Sequence, residues 1–164
     1  MSSSTSEMEK FIRAEVNEVV SIIRETHSII LPFLRFHLLT ENLLERIVIS
    51  HLARAKRFLD EANPRYYHKL CLVDSFNILD EKTMGAIKNL NSIRNRLAHS
   101  RKASISVKDL DRIGNHFGKE YKKLRAECLN DTKELMCCVF ELILFRLSTT
   151  VYHLEHGTRS QGGE

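Results

Sequence analysis

Tryptophan is missing from this 164-residue chain, and glycine and proline are scarce, at six and two. So few breakers exclude collagen-like and Gly/Pro-rich disordered chains, and argue against a turn-dense β-sandwich. Cysteine is sparse too. An adjacent pair, Cys137 and Cys138, and the isolated Cys71 and Cys128 match no zinc-ligand spacing and no secreted disulfide framework, so they read as reduced core residues. Neither sign of charge dominates. Twenty-five Lys and Arg against 21 Asp and Glu leave +4 and a pI near 8.9, which permits a polyanionic partner without demanding one. The most apolar stretch, Leu135 to Leu147, is interrupted by Glu141 and Arg146 and falls short of the ~20 residues of a spanning helix. The opening Met1-Ser2-Ser3-Ser4-Thr5-Ser6 lacks the basic-then-apolar order of a signal peptide. The expectation is a soluble, cytoplasmic protein with no membrane partner.

What is present is ordinary globular material, 43% hydrophobic and 28% charged, in a chain of single-domain length. Apolar residues recur at three- and four-residue steps, which predicts helices. The first should run from about Glu7 to Ile30, through Ile12, Val16, Val19 and Ile23. Pro32 suits the first turn of a long second helix ending near Ala62, where Asn63-Pro64 breaks the pattern. A short helix follows through Tyr66, Leu70 and Phe76. Asp80 should cap a fourth helix over about 81–99, and Ser106 to Asp109 has capping-box character opening a fifth. Asn130 or Asp131 should cap the last helix, which ends near Gly157 and is apolar on nearly all sides. Such a helix is either central to a bundle or covered by a partner chain. The fold expected is therefore all-α, an antiparallel bundle of about five to six helices. It forms a single domain over residues 7–156, with disordered polar tails at 1–6 and 157–164.

The fourth helix ends in Arg94-Asn95-Arg96-Leu97-Ala98-His99. An Arg, a polar residue and a His a few positions on resemble the signature of the HEPN superfamily (higher eukaryotes and prokaryotes nucleotide-binding), here as Arg-x4-His. The likeness extends more loosely to the helical chain as a whole. It implies a metal-independent endoribonuclease, with no cofactor, whose site is shared across a homodimer, possibly as a toxin or defence effector paired with an antitoxin or other partner protein. Arg94, His99 and Asn95 are then the catalytic candidates. A histidine can take the proton of a ribose 2′-hydroxyl or give one to the leaving oxygen. An arginine fork suits the charge gathering on a phosphorane, and Asn95 can orient the histidine or hold a phosphate oxygen. Some HEPN toxins carry a modifiable tyrosine two residues after the histidine. Here Arg101 stands in that place.

Helical geometry qualifies the motif. Asn91, Asn95 and His99 share a face, whereas Arg94 and His99 lie about 140° apart at 3.6 residues per turn. Either the arginine wraps round, or it meets the His99 of a second subunit. A purely structural role is the competing reading, with His99 favoured by the helix dipole and Arg94 paired with a carboxylate.

Glu41 and His37 are supporting candidates, one turn apart on the second helix where apolar residues are expected. A carboxylate on a buried stripe needs a donor, so Glu41 should contact Arg94 or His99, or else pair with His37. Arg96, Arg101 and Lys102 adjoin the motif and are candidate RNA contacts, as is the more distant run Lys119, Lys122, Lys123 and Arg125. Tyr66-Tyr67 can stack bases or pack a helix, and His51 reads as a partly buried histidine. No metal-ligand cluster is visible. The alternatives to a nuclease are a non-catalytic HEPN-like module binding protein, RNA or nucleotide, and a helical regulator of transcription, for which no helix-turn-helix is evident.

Overall fold

The computed structural model describes residues 2–100, 102–128 and 131–157, with side chains from Glu7 onward. It contains eight α-helices and no strand among those residues. They are α1 (Ser2–Glu25), α2 (Ile30–His51), α3 (Ala55–Ala62), α4 (Tyr66–Ser75), α5 (Glu81–His99), α6 (Val107–Gly114), α7 (Lys119–Glu127) and α8 (Thr132–His156), with a 3₁₀ turn, Asn115–Phe117, before α7.

The sequence signals held best where they are local. Asp80 caps α5, its carboxylate accepting from the Thr83 amide at 2.6 Å. Ser106 and Asp109 form the full capping box of α6, and Asp131 caps α8 through the Lys133 and Glu134 amides. Pro32 stands in the first turn of α2, buried, as its missing N–H allows.

Boundaries set by packing moved. α1 begins at Ser2, so residues 2–6 form its start and not a tail, and it ends at Glu25, five residues early. There the Thr26 hydroxyl donates to the Ile22 carbonyl at 2.8 Å, a local bond that competes with helix continuation. The tail expected at 157–164 lies outside the described residues beyond Gly157. The long second helix is broken: Leu52 turns to an extended backbone (φ −110°, ψ 125°) and α3 folds back on α2. No Gly or Pro marks that break. It returns Ala55 and Leu59 to the core, a tertiary gain that periodicity alone does not disclose.

The segment after Ser106 likewise divides into α6, the 3₁₀ turn and α7, pivoting at Gly118, whose φ of +58° favours glycine. The turn lays the Tyr121 ring against Gly114, where an added Cβ would sit 2.2 Å from the ring. The Tyr121 hydroxyl donates to Asp111.

α8 is the axis of the bundle. It packs against α1, α2, α5, α6 and α7. Phe140 stacks on Phe36 with centroids 3.7 Å apart and meets Phe33 at 5.9 Å. The helix is 25 residues long and apolar enough to cross a membrane, correcting the shorter run read from sequence, yet 61% of its most apolar window is buried inside the chain. Its apolar circumference is thus used by its own neighbours, with Phe145 (56% exposed) the main exception. A partner chain is not needed to explain it. The cysteines also differ from expectation: Cys71 is exposed, Cys137 and Cys138 are half-buried, and only Cys128 is buried, its sulfur 3.0 Å from that of Cys138.

Candidate functional site

The connection from α4 to α5 is short, so the start of α4 lies beside the end of α5, and α2 runs beneath both. Between them is a cleft of about 660 Å³. α2 contributes His37 and Glu41; α5 contributes Asn91, Arg94, Asn95 and His99; α4 and the residue before it contribute Arg65, Tyr66, Tyr67 and His68. Its size falls within the roughly 300–1,000 Å³ usual for small-ligand sites.

The floor is buried and polar. His37 is 3% exposed, and its Nε2–H donates to Asn91 Oδ1 at 3.3 Å, which leaves Nδ1 unprotonated in the neutral ring. The imidazole stacks on Tyr66, centroids 4.0 Å apart. The Thr40 hydroxyl donates to the His37 carbonyl at 2.8 Å, so the Tyr66 hydroxyl must donate to Thr40 Oγ1 at 2.9 Å. Burial pushes the His37 pKa below its usual 6.5, with Arg94 adding to the effect and Asn91 and Glu41 opposing it. Burial also raises the Tyr66 phenol. Both groups are therefore neutral near pH 7, forming an uncharged hydrogen-bonded base under a charged rim.

The rim is exposed: Arg65, Tyr67, His68, Arg94, Asn95 and His99 all face solvent. Arg94 bends toward the shared face, and its Nη1 donates to Asn95 Oδ1 at 3.3 Å. The Arg94 side chain thus reaches the face that carries Asn95. Arg94 and His99 line one cleft of a single chain, with α5 intact through His99.

Glu41 lines the same cleft, but the donor it was expected to need is neither Arg94 nor His99, nor is it His37. It is Lys69, whose Nζ lies 2.7 Å from Glu41 and 2.5 Å from Glu45. Burial alone would lower the pKa of Lys69, which is 7% exposed, but the two carboxylates outweigh it and keep the ammonium charged. Lys69 thus bridges Glu41 and Glu45, while Arg65 and Arg94 are the cationic side chains that line the cleft beside Glu41.

Arg96 is not a cleft residue. Its guanidinium spans Asp109 at 2.8 Å and the Ser104 carbonyl at 3.2 Å, tying the end of α5 to the start of α6. Burial opposes ionisation of Asp109, but Arg96 and Ser106 prevail and hold its carboxyl at about 2. Arg96 therefore has a structural engagement, and it lies outside the cleft lining. Lys102 is exposed and outside the cleft lining, and Arg101 lies outside the described residues. Of the more distant basic run, Arg125 pairs with Asp111 at 2.8 Å, and Lys119, Lys122 and Lys123 are exposed on α7 away from the cleft. His51 is exposed and stacks on Phe76.

Comparison of this chain with protein-family models, with curated proteins and with solved structures returns no match. What can be said of the site rests on its chemistry. Among the described residues, no group of three His, Cys, Asp or Glu side chains is gathered as a metal could use them. The cleft offers two arginines, two exposed imidazoles, an amide and an exposed aromatic ring around a neutral floor. Arginine forks are suited to anionic oxygens, and imidazoles are suited to proton exchange near neutral pH.

Sequence reasoning singled out Tyr66 and Tyr67 but missed Arg65, His68 and Lys69. The string Arg65-Tyr66-Tyr67-His68 directly after Pro64 was an available signal, a cationic and aromatic cluster at a helix start. Glu41 and Glu45, one turn apart on a buried helix, pointed to an ammonium between them.

Proposed function

We propose that the chain is an endoribonuclease of HEPN type that cleaves RNA without a metal, by attack of the ribose 2′-hydroxyl on the adjacent phosphorus. One observation carries the reading: Arg94, Asn95 and His99, the residues of the Arg-x4-His motif, share a polar cleft in one chain above a buried His37–Asn91 pair. A motif kept for packing alone has no reason to present its three polar members to one concave surface. Arg94 is the charge that meets the non-bridging phosphate oxygens, His99 exchanges the proton, and Asn95 steers the guanidinium through its amide oxygen. His37 and Asn91 hold the floor, and Glu41 with Lys69 fixes α2 to α4. A toxin or defence setting, a homodimer and a partner that restrains the activity belong to the same proposal.

The test is cleavage of a mixed single-stranded RNA by purified protein in EDTA, with products analysed for 2′,3′-cyclic phosphate ends. Arg94→Ala and His99→Ala should each lower the rate by about 10²- to 10⁴-fold. RNA left intact by the wild-type chain would overturn the nuclease reading and leave a binding module.

A further inference from the structure

We infer that the outward face of α2 is the contact surface for a second copy of this chain, the two α2 helices packing antiparallel about a two-fold axis at the level of residue 40. The homodimer proposed above thereby gains a surface, identified from packing and charge and independent of the nuclease chemistry. Six large hydrophobic residues are exposed among the described residues, and three of them, Leu31 (46%), Leu38 (63%) and Ile49 (41%), belong to α2. At 3.6 residues per turn, Leu38 and Ile49 fall within about 20° of Leu31, so the three form one line about 27 Å long. That line faces away from Leu43, Leu44 and Ile47, the buried side of the helix. The core accounts for one apolar side of α2; a second, turned to solvent, marks an interaction surface.

The pattern of the stripe selects its partner. Residues 31, 35, 38, 42, 45 and 49 follow one another at alternating steps of four and three, the spacing of a coiled-coil seam. Laid antiparallel against its own copy, this seam sets Leu31 opposite Ile49 of the partner subunit, Arg35 opposite Glu45 of the partner subunit, and Leu38 opposite Asn42 of the partner subunit. The two-fold axis makes each pair twice, as a self-complementary interface requires.

Charge agrees with this register. Arg35 is exposed, and the Glu45 side chain is 34% exposed. Lys69 balances only one of the two carboxylates it bridges, so the Glu41–Lys69–Glu45 cluster keeps one negative charge to meet an arginine. Asn42, exposed in the middle of the seam, is a polar position of the kind that fixes register at a cost in stability.

Sedimentation of the purified chain at about 100 µM should give twice the 19.0 kDa of one chain, with dissociation on dilution. Leu38→Glu should weaken association at least about 100-fold and leave helix content by circular dichroism unchanged. Arg35→Glu and Glu45→Arg should each weaken it about 10-fold or more, because each sets like charges together twice. Mixing those two variants should restore the dimer, since every 35–45 pair in the mixed species is opposite in charge. A monomer at that concentration would overturn the inference, as would a dimer that Leu38→Glu leaves intact. A dimer broken by Leu38→Glu but not restored by mixing the charge variants would overturn the antiparallel pairing and the proposal with it. RNA cleavage is read separately, so each of these failures leaves the nuclease reading standing.

Discussion

α8 and α5 are both long helices of this bundle, and they are built to opposite rules. α8 touches five other helices and buries apolar side chains around most of its circumference. α5 buries Ile87, Leu90 and Ile93 along one side, while its last two turns carry Asn91, Arg94, Asn95 and His99 to a solvent-filled cleft. Most hydrophobic residues of α8 are buried among its neighbours, with Phe145 the main exception. At the polar end of α5, Asn91 bonds His37 and Arg96 ties the helix to Asp109, whereas Arg94, Asn95 and His99 are exposed.

The difference can be tested by how much each region costs when it is cut. The largest loss belongs to the axis: Phe140→Ala removes a ring stacked on Phe36 and should destabilise by about 3–5 kcal/mol in urea unfolding. A value near zero would mean that α8 is not the centre described.

An intermediate effect belongs to the cleft floor and shows itself through pH. His37 sits below 6.5 because it is buried, so it is neutral in the folded chain. Once pH falls under 6.5 the unfolded chain binds more protons than the folded one. The stability contributed by the neutral ring is therefore whole above 6.5 and lost as pH falls toward the lower folded-state value. Between about pH 7.5 and about pH 5.5, the wild-type chain should lose more stability than His37→Gln. Parallel curves would show the imidazole to be solvated.

The smallest stability effect is expected at the motif itself. Arg94→Ala and His99→Ala should shift unfolding by no more than about 0.5 kcal/mol, as exposed substitutions do. A large destabilisation at either residue would return the motif to a structural role and erase the contrast between the helices.

How much of this was legible beforehand follows the same division. The helix class, the caps at Asp80, Ser106 and Asp131, and the shared face of Asn91, Asn95 and His99 rest on interactions within a few residues, and these could be read from spacing. The break at Leu52 and the pivot at Gly118 answer to packing between distant segments and left little trace in the local pattern. So did the floor of the cleft, where His37 and Asn91 meet across 54 positions of chain. The need of Glu41 for a partner was visible, but its identity was not. A lysine on α4 reads as a surface residue until the fold places two carboxylates against it.

The opening turns of α4 separate scaffold from contact surface within a handful of residues. Pro64, Tyr66, Lys69 and Leu70 are buried, whereas Arg65, Tyr67 and His68 between them are exposed. That interleaving makes the wall a rewritable cassette. Substitutions at the three exposed positions alter the wall of the cleft and leave untouched the four buried residues that anchor the helix.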